Sequence, residues 1–277
     1  MTDSHAINRV ISGLGLDQLD QDLFLGNPGE GTGRLFGGMV AAQSTMAAQL
    51  TVEEGTLHSL HAYFLRGGSY DQPLRFVVHR IRDGRTYTTR RVVAHQNGEA
   101  IFNLAASFTR PEEGGAHQQA MPNVPGPEEL PLWEEVRATP GMPAFRAEHL
   151  DAFEVRLPWE GEVDGQRFVW MRPRGVVPHD PHIDTAITVY ASDRSLVSSA
   201  VAPMGYDRKD ITAASLDHAL WLHRPARFDD WILYTSNSPA GFAGRGVAFG
   251  SMYTRDGVLF ASVAQEGLIR LRSNKAG

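Results

Sequence analysis

One carboxylate in the carboxyl-terminal half of the chain has a position suited to general-base chemistry. A helix is predicted over residues 182–202, and counting along it puts Asp193 on the same flank as Tyr190 and Val197. A carboxylate among apolar side chains loses hydration, so its pKa rises unless donors surround it, and a raised pKa suits a general base. The alternative is a helix residue that pairs with Arg194 or another cation at the edge of the core.

An amide and a hydroxyl are further candidates in the same half. Gln265 lies on a mostly apolar face of a predicted strand, and it needs partners there because an unpaired buried amide costs about 1 to 3 kcal/mol. Ser215 opens another predicted strand and is the natural hydroxyl companion. The alternative for both is a hydrogen-bonded core amide and an ordinary serine at a strand end. Asp217 and His218 alternate across their strand, so they cannot form a dyad with each other.

Other chemistries are excluded or disfavoured by the residues. The chain has no cysteine, which removes disulfides, a thiolate nucleophile and cysteine-based metal sites. It has no Gly-x-Ser-x-Gly motif, and the glycines within 29–33 lack the last glycine of a dinucleotide-binding loop. His179, His182 and Asp184 lie close in sequence, but a polar helix start accounts for them. We therefore expect neither a metal ion nor a bound cofactor.

Length and composition predict an ordinary globular protein. Of the 277 residues, 42% are hydrophobic and 21% are charged, enough to bury a large core. The net charge of −6 disfavours nucleic acid as a partner. No apolar run reaches the roughly 18 residues of a membrane span, residues 1–20 lack a signal-peptide pattern, and the chain does not end in the Ser-Lys-Leu address. A cytoplasmic location is expected.

Proline usage predicts three parts of the chain. Eight of the sixteen prolines fall between Pro111 and Pro158, which indicates a Pro-rich connection over 109–163. The flanking parts are an amino-terminal unit over 1–108 and a carboxyl-terminal unit over 164–277. A short amphipathic helix leads the first unit, because its apolar residues recur at helical spacing: Ile7, Val10, Ile11 and Leu14.

The two flanking units resemble each other in sequence. Residues 59–66 match residues 216–223 with His61 set against His218, an offset of 157, and later matches have offsets of 158 to 160. Three ordered matches favour two copies of one unit. By these offsets, the counterparts of the candidate hydroxyl and amide are His58 and Ser107. The first helix lacks an acid, so one site per chain is expected, with His58 as a hydrogen-bonded structural residue.

Each unit is predicted to be one helix followed by an antiparallel sheet. Helix one begins after Gly37-Gly38 and puts its apolar side chains on one broad face, the last of them Leu50. Asp256-Gly257 is a hairpin signal between the last two strands. The strands predicted in the second unit are 215–223, 231–234, 246–254 and 258–266. A long helix on a curled antiparallel sheet is the hotdog arrangement, so the fold class is α+β, a double hotdog forming a pseudo-symmetric pair.

Short motifs along the chain resemble the acyl-CoA thioesterase II family, the double-hotdog enzymes that hydrolyse fatty acyl-CoA thioesters. They include a Tyr-Ala-Ser-Asp stretch ending at Asp193, a Ser-Leu-Asp-His stretch beginning at Ser215 and a Gln-Glu-Gly stretch beginning at Gln265. Eleven pieces follow the family's order over nearly the whole chain: 35–40, 58–66, 82–85, 90–91, 96–98, 105–108, 190–193, 215–218, 223–225, 256–258 and 264–267.

The resemblance implies that Asp193, Ser215 and Gln265 together hold and deprotonate a water that attacks the thioester carbonyl. Some relatives have Thr at the position of Ser215, which keeps the same oxygen. We hypothesise that Gly37 and Gly38 bring backbone N–H groups of a helix start to the developing oxyanion. The alternative is that these glycines only permit tight packing.

The resemblance also implies an acyl-CoA substrate and a homo-oligomer, a dimer or a tetramer. The phosphates of coenzyme A call for basic residues, and the candidates by residue type are Arg66, Arg90, Arg91 and Arg245. Two other functions stay open: a protein that binds or senses acyl-CoA without turnover, and a hotdog hydratase or dehydratase, which would need an Asp–His pair.

Overall fold

A computed structural model describes residues 5–138, 151–158, 167–225 and 227–272. The α-helices are α1 His5–Leu14, α2 Gly37–Gln49, α3 Trp133–Arg137, α4 Pro181–Ser192 and α5 Leu196–Val201. The strands are β1 Leu16–Asp20, β2 Leu23–Gly26, β3 Thr56–Phe64, β4 Leu74–Asp83, β5 Tyr87–Gln96, β6 Glu99–Thr109, β7 Phe153–Arg156, β8 Arg167–Pro173, β9 Ile211–Ser215, β10 Asp217–Leu222, β11 Ile232–Phe242, β12 Arg245–Thr254 and β13 Leu259–Leu271.

The strands form one antiparallel sheet whose two halves mirror each other in order. The order is β1-β2-β4-β5-β6-β3-β10-β13-β12-β11-β8-β7, and β9 pairs with β13 off this path. β3 of the first half pairs with β10 of the second at the centre, and outward from there each half runs through the rest of its own strands. This arrangement agrees with the predicted α+β fold of two helix-on-sheet units.

The core lies between the inner face of the sheet and the helices. α2 is buried on nearly every side because it packs against the sheet and also contacts α1 and α4. The prediction of one apolar face for this helix was therefore too narrow, and Leu50, expected in the core, caps the helix end and is half exposed. The leading helix buries Ile7, Val10 and Leu14 against this core.

The single helix predicted over 182–202 was wrong, since the chain breaks it at Asp193. α4 ends at Ser192 and α5 begins at Leu196. The break leaves the carbonyl oxygen of Ser192 without its helical donor, and the hydroxyl of Tyr234 donates to it at 2.8 Å. A strand distant in sequence thus supplies the hydrogen bond that allows the break.

The strand predicted over 215–223 is interrupted at Leu216, between β9 and β10. Both pieces pair with β13, Ser215 opposite Gly267 and Ala219 opposite Ala264. Three residues lie between Ser215 and Ala219, whereas two lie between their partners Gly267 and Ala264. The β9–β10 side of the ladder therefore has one extra residue. Such a bulge redirects a side chain beside it.

The proposed match of His61 with His218 was also wrong. His61 is exposed on the outer face of the sheet, whereas His218 is buried on the inner face. A shift of one residue moves every side chain of a strand to the other face, so an odd offset cannot relate equivalent positions here. An offset of 158 sets Leu60 against His218, and both of these residues are buried.

The division of the chain at 108 and 164 stays a prediction. Within the proposed connection over 109–163, β7 pairs with β8 at the edge of the sheet, so part of that segment belongs to the second half. Across the described ranges, no helix has the length and apolarity needed to cross a bilayer.

Candidate active site

The three side chains predicted to act together do meet in the structure. Gln265 Nε2 donates to Asp193 Oδ1 at 2.7 Å, and Ser215 Oγ donates to the same oxygen at 3.2 Å. Asp193 and Gln265 are buried, and Ser215 is partly buried. Each comes from a different element: the break after α4, the end of β9 and the middle of β13.

The interruptions of regular structure position this site. Asp193 caps α4 with non-helical torsions (φ −78°, ψ 0°), so its side chain leaves the helix at the break. Ser215 is the last residue of β9, immediately before the bulge at Leu216. Gln265 lies in a part of β13 that pairs regularly with β12, opposite Ala248. The hydroxyl and the carboxylate are thus brought to an amide on a regularly paired strand.

The start of α2, in the other half of the chain, closes over the carboxylate. The backbone N–H of Gly38 donates to Asp193. A Cβ atom on Gly37 would lie 3.0 Å from Asp193 Oδ2, and one on Gly38 would lie 2.7 Å from the carbonyl oxygen of Tyr190. A side chain does not fit at either position without movement. The positive end of the helix dipole therefore faces the carboxylate.

Burial raises the pKa of Asp193 to about 6, while the hydrogen bonds from Gln265, Ser215 and the Gly38 backbone act in the opposite direction. The alternative of pairing with Arg194 is contradicted, because that guanidinium lies over the ring of Phe153, 4.9 Å from its centroid. The ion pairs of the described residues do not include Asp193. The carboxylate is therefore held by neutral donors.

His218 is a buried neighbour of the site that the sequence argument passed over. Its Nε2 lies 2.8 Å from Ser192 Oγ, and burial lowers the pKa of His218 to about 4. The expectation that Asp217 and His218 diverge is confirmed, since Asp217 instead accepts from the backbone N–H of Glu266 at 2.7 Å. Sequence offered no signal for this neighbourhood, because it depends on the register of β10 against β13.

The amino-terminal half has no equivalent trio among its described residues. His58 Nε2 lies 2.8 Å from Ser107 Oγ, so the expected hydrogen-bonded histidine is found. This pair lies away from the helices, because Ser107 alternates with buried Ala106 and Phe108. α2 carries no acid.

The arginines considered for coenzyme A differ in availability. Arg90 is buried and donates to Thr51 and Asp83, so it has a structural role and cannot reach a phosphate. Arg66 and Arg245 pair at the surface with Glu99 and Glu266. The predicted polar helix start before α4 contains a residue that the sequence argument did not name, Asp180, whose side chain caps the helix.

Comparison with known proteins places both halves of the chain in one group. A family model described as acyl-CoA thioesterase N-terminal domain matches residues 27–109, and one described as acyl-CoA thioesterase matches residues 144–268. The chain is 36% identical to acyl-CoA thioesterase 2 of Haemophilus influenzae, with 96% of this chain and 99% of that protein covered. It is 35% identical to acyl-coenzyme A thioesterase 8 of Mus musculus, covering 95% and 89%.

Solved structures agree with this placement. The acyl-CoA thioesterase II TesB2 from Mycobacterium marinum superposes with a TM-score of 0.82 at 37% identity, covering 96% of this chain and 99% of that one. A protein from Alicyclobacillus acidocaldarius with the hot dog fold gives a TM-score of 0.77 at 19% identity, covering 95% and 98%. The second likeness concerns the fold alone, and together they confirm the predicted double hotdog.

Proposed function

The chain belongs to the acyl-CoA thioesterase family, and from this premise we propose how its site hydrolyses a fatty acyl-CoA thioester. The protein is an acyl-CoA thioesterase, a thioester hydrolase. In our proposal Asp193 is the general base, and Ser215 and Gln265 position the attacking water. The observation that carries the proposal is the convergence of the hydroxyl and the amide on one oxygen of a buried carboxylate.

The proposed reaction needs no covalent enzyme intermediate. Asp193 takes a proton from the water while the water oxygen bonds to the thioester carbon, which gives a tetrahedral oxyanion. The carbon–sulfur bond then breaks, and the fatty acid and the thiolate of coenzyme A leave. A thiol has a pKa near 8.5, so protonated Asp193, with a pKa of about 6, can return its proton to the thiolate. Ser215 acts as a hydrogen-bonding group and not as the nucleophile.

The start of α2 is proposed to stabilise the oxyanion, but through one backbone N–H group and not through the two that the sequence suggested. The N–H of Gly38 already donates to Asp193, so it is committed to holding the base. The N–H of Gly37, the first residue of the helix, has no intrahelical acceptor by its position and is the remaining donor.

The two rival functions differ from hydrolysis in their products. A hydratase or dehydratase would need an Asp–His pair, whereas the hydrogen-bonding side chains found on Asp193 among the described residues are an amide and a hydroxyl. A sensor would bind acyl-CoA without releasing thiol. Incubation with a panel of acyl-CoAs, short to long, saturated and branched, with assay of free thiol, tests the proposal: thiol release supports it, and binding without release contradicts it.

The activity is expected to have an acid limb set by Asp193. Because the base must be ionised, and burial raises its pKa to about 6, kcat/KM should fall tenfold per pH unit well below pH 6 and level off above about pH 7. Initial rates of thiol release between pH 4.5 and 8, in buffers of constant ionic strength, measure this profile. Full activity at pH 4.5 would mean that a group other than Asp193 is the base.

Replacing Ser215 by alanine is expected to reduce kcat by about 10-fold, the effect of losing one hydrogen bond to a charged group. Ser215→Thr keeps the oxygen and is the matched control, expected to stay within about 3-fold of wild type. Thiol-release kinetics of both variants decide the point. If alanine and threonine had equal effects, the hydroxyl would have no part in positioning the water.

A homo-oligomeric assembly and a cytoplasmic location stay predictions. They follow from the family resemblance and from the sequence, respectively.

A further inference from the structure

A polar cross-strand pair lies beside the trio on the inner face of the sheet: His218 on β10 and Gln265 on β13. The register that pairs Ala219 with Ala264 sets these two residues opposite each other, one position further along. Directly opposite residues on one face have Cβ atoms about 4.5 to 5.5 Å apart. Both side chains are buried. The ring and the amide therefore face each other inside the protein.

Each of the two side chains has one polar atom that is paired and one that is not. Nε2 of His218 lies 2.8 Å from Ser192 Oγ, and Nε2 of Gln265 donates to Asp193 at 2.7 Å. Nδ1 of His218 and Oε1 of Gln265 are buried, and neither has a hydrogen-bond partner among the described residues. The amide of Gln265 does lie close enough to the ring to raise the pKa of His218, against the larger lowering by burial.

The position of one proton decides whether these two atoms are satisfied. Burial lowers the pKa of His218 to about 4, so at neutral pH the ring carries a single N–H. With the proton on Nε2, a bare Nδ1 would face the amide oxygen of Gln265, acceptor against acceptor. With the proton on Nδ1, the ring donates to that oxygen. The hydroxyl of Ser192, which lies 2.8 Å from both Nε2 and the carbonyl oxygen of Val189, then turns from that carbonyl to donate to Nε2.

The amino-terminal half of the chain shows that the fold does not require a polar pair here. The inner-face pairs that β3 makes with β6 are all apolar: Leu57–Phe108, Leu60–Ala106, Ala62–Leu104 and Phe64–Phe102. In that half, α2 supplies no acid. The polar pair thus occurs in the half where an amide must point its nitrogen at a carboxylate.

We propose that His218 is a positioning residue for hydrolysis, whose Nδ1–H donates to Gln265 Oε1 and thereby fixes the amide with its nitrogen toward Asp193. The inference rests on the proposed function, in which Asp193 is the base. Without this donor the amide can rotate and present its oxygen to the carboxylate. That orientation removes a donor from Asp193, places an acceptor against it and disfavours the ionised form.

Within the described residues, the titratable groups on this chain of hydrogen bonds are Asp193, His218 and Tyr234. Asp193 accepts from Gln265, and Tyr234 of β11 approaches from the other side with its hydroxyl on the carbonyl oxygen of Ser192. The charge that acts on Tyr234 is that of Asp193. The acid limb of the activity follows the pKa of Asp193, so a variant that shifts this limb has changed the hydrogen bonds that Asp193 accepts.

Two substitutions of His218 distinguish a role as hydrogen-bond donor from a role in packing alone. His218→Asn places an amide N–H near the position of Nδ1, and His218→Leu fills a similar volume without a donor. We expect the Leu variant to lose about 10-fold in kcat with little change in KM, and its acid limb to move up by about one pH unit. The Asn variant should stay within about 3-fold of wild type with an unmoved limb. His61→Leu, on the exposed outer face, is the control expected to match wild type.

Wild-type kcat and an unmoved limb in His218→Leu, or an Asn variant as impaired as the Leu variant, would overturn the proposal. If the Leu variant does not fold, the ring nitrogen shifts of isotope-labelled histidine in the wild-type protein decide instead. The expected result is a protonated Nδ1 and a bare Nε2, and the reverse overturns the proposal. The nitrogen shifts are measured without turnover. A wild-type enzyme without an acid limb near pH 6 would contradict the role of Asp193 as base, and the nitrogen shifts would still show which tautomer His218 adopts.

Discussion

Replacing Asp193 by asparagine is expected to lower kcat for acyl-CoA hydrolysis by at least about 100-fold, within the range for loss of a general base. Asparagine keeps the size of the side chain and an oxygen that can accept from Gln265 and Ser215, but it cannot take a proton from water. KM is expected to change little, because the proposed role concerns the attacking water and not the binding of substrate. Thiol-release kinetics on the substrate that wild type turns over fastest measure both constants.

The stability of the same variant distinguishes a lost base from a damaged fold. The pKa of Asp193 is raised in the folded protein from 3.8 to about 6, so this group favours folding below pH 3.8, and that contribution is lost as the pH rises through 6. At pH 7 the buried charge opposes folding. The Asn variant should therefore have a Tm at pH 7 no lower than that of wild type. Full activity in this variant would show that the site is assigned wrongly.

Replacing Gly38 by alanine is expected to damage both stability and turnover. The added Cβ would lie 2.7 Å from the carbonyl oxygen of Tyr190, a backbone atom of α4 that cannot move without shifting the helix. Overpacking of this kind costs about 1 to 3 kcal/mol, which lowers Tm by roughly 2 to 4 °C per kcal/mol in a protein of this size class. The same shift displaces the Gly38 N–H from Asp193, so kcat should fall at least about 10-fold.

Gly114→Ala is the matched control for this variant, since a Cβ there meets nothing within 4 Å. It should leave Tm and kcat close to wild type. Thermal unfolding followed by circular dichroism and thiol-release kinetics give the two readouts. A Gly38→Ala enzyme with wild-type Tm and kcat would show that the start of α2 does not close over the carboxylate.

Local patterns predicted much of this molecule because they depend on neighbours in sequence. Alternation along the strands and the Asp256-Gly257 turn located the last hairpin, in which Gly257 has a φ of +88° that favours glycine. The apolar flank around Asp193 identified a buried carboxylate, and the family motifs linked it to Ser215 and Gln265. These three residues come from separate elements, so their convergence required knowledge of the fold and could not follow from spacing.

The features that sequence did not predict depend on contacts distant along the chain. At the helix break, the hydroxyl of Tyr234 donates to the carbonyl oxygen of Ser192, which has lost its helical donor. The bulge at Leu216 is visible only when β9 and β10 are both paired with β13. The one-residue error that set His61 against His218 has the same origin, because only the paired sheet shows which face a side chain occupies. That error also hid the neighbourhood of His218 and Gln265.

The central claim is that Asp193 activates water and does not itself attack the thioester. The most direct test is a single turnover with enzyme in excess, in water enriched in the heavy oxygen isotope, followed by acid quench and mass analysis of the protein and the released fatty acid. Direct attack predicts one heavy oxygen in the acid, an unmodified enzyme at every quench time and no heavy oxygen in the Asp193 carboxylate. An acyl adduct on Asp193, or heavy oxygen incorporated into its carboxylate, would contradict the mechanism.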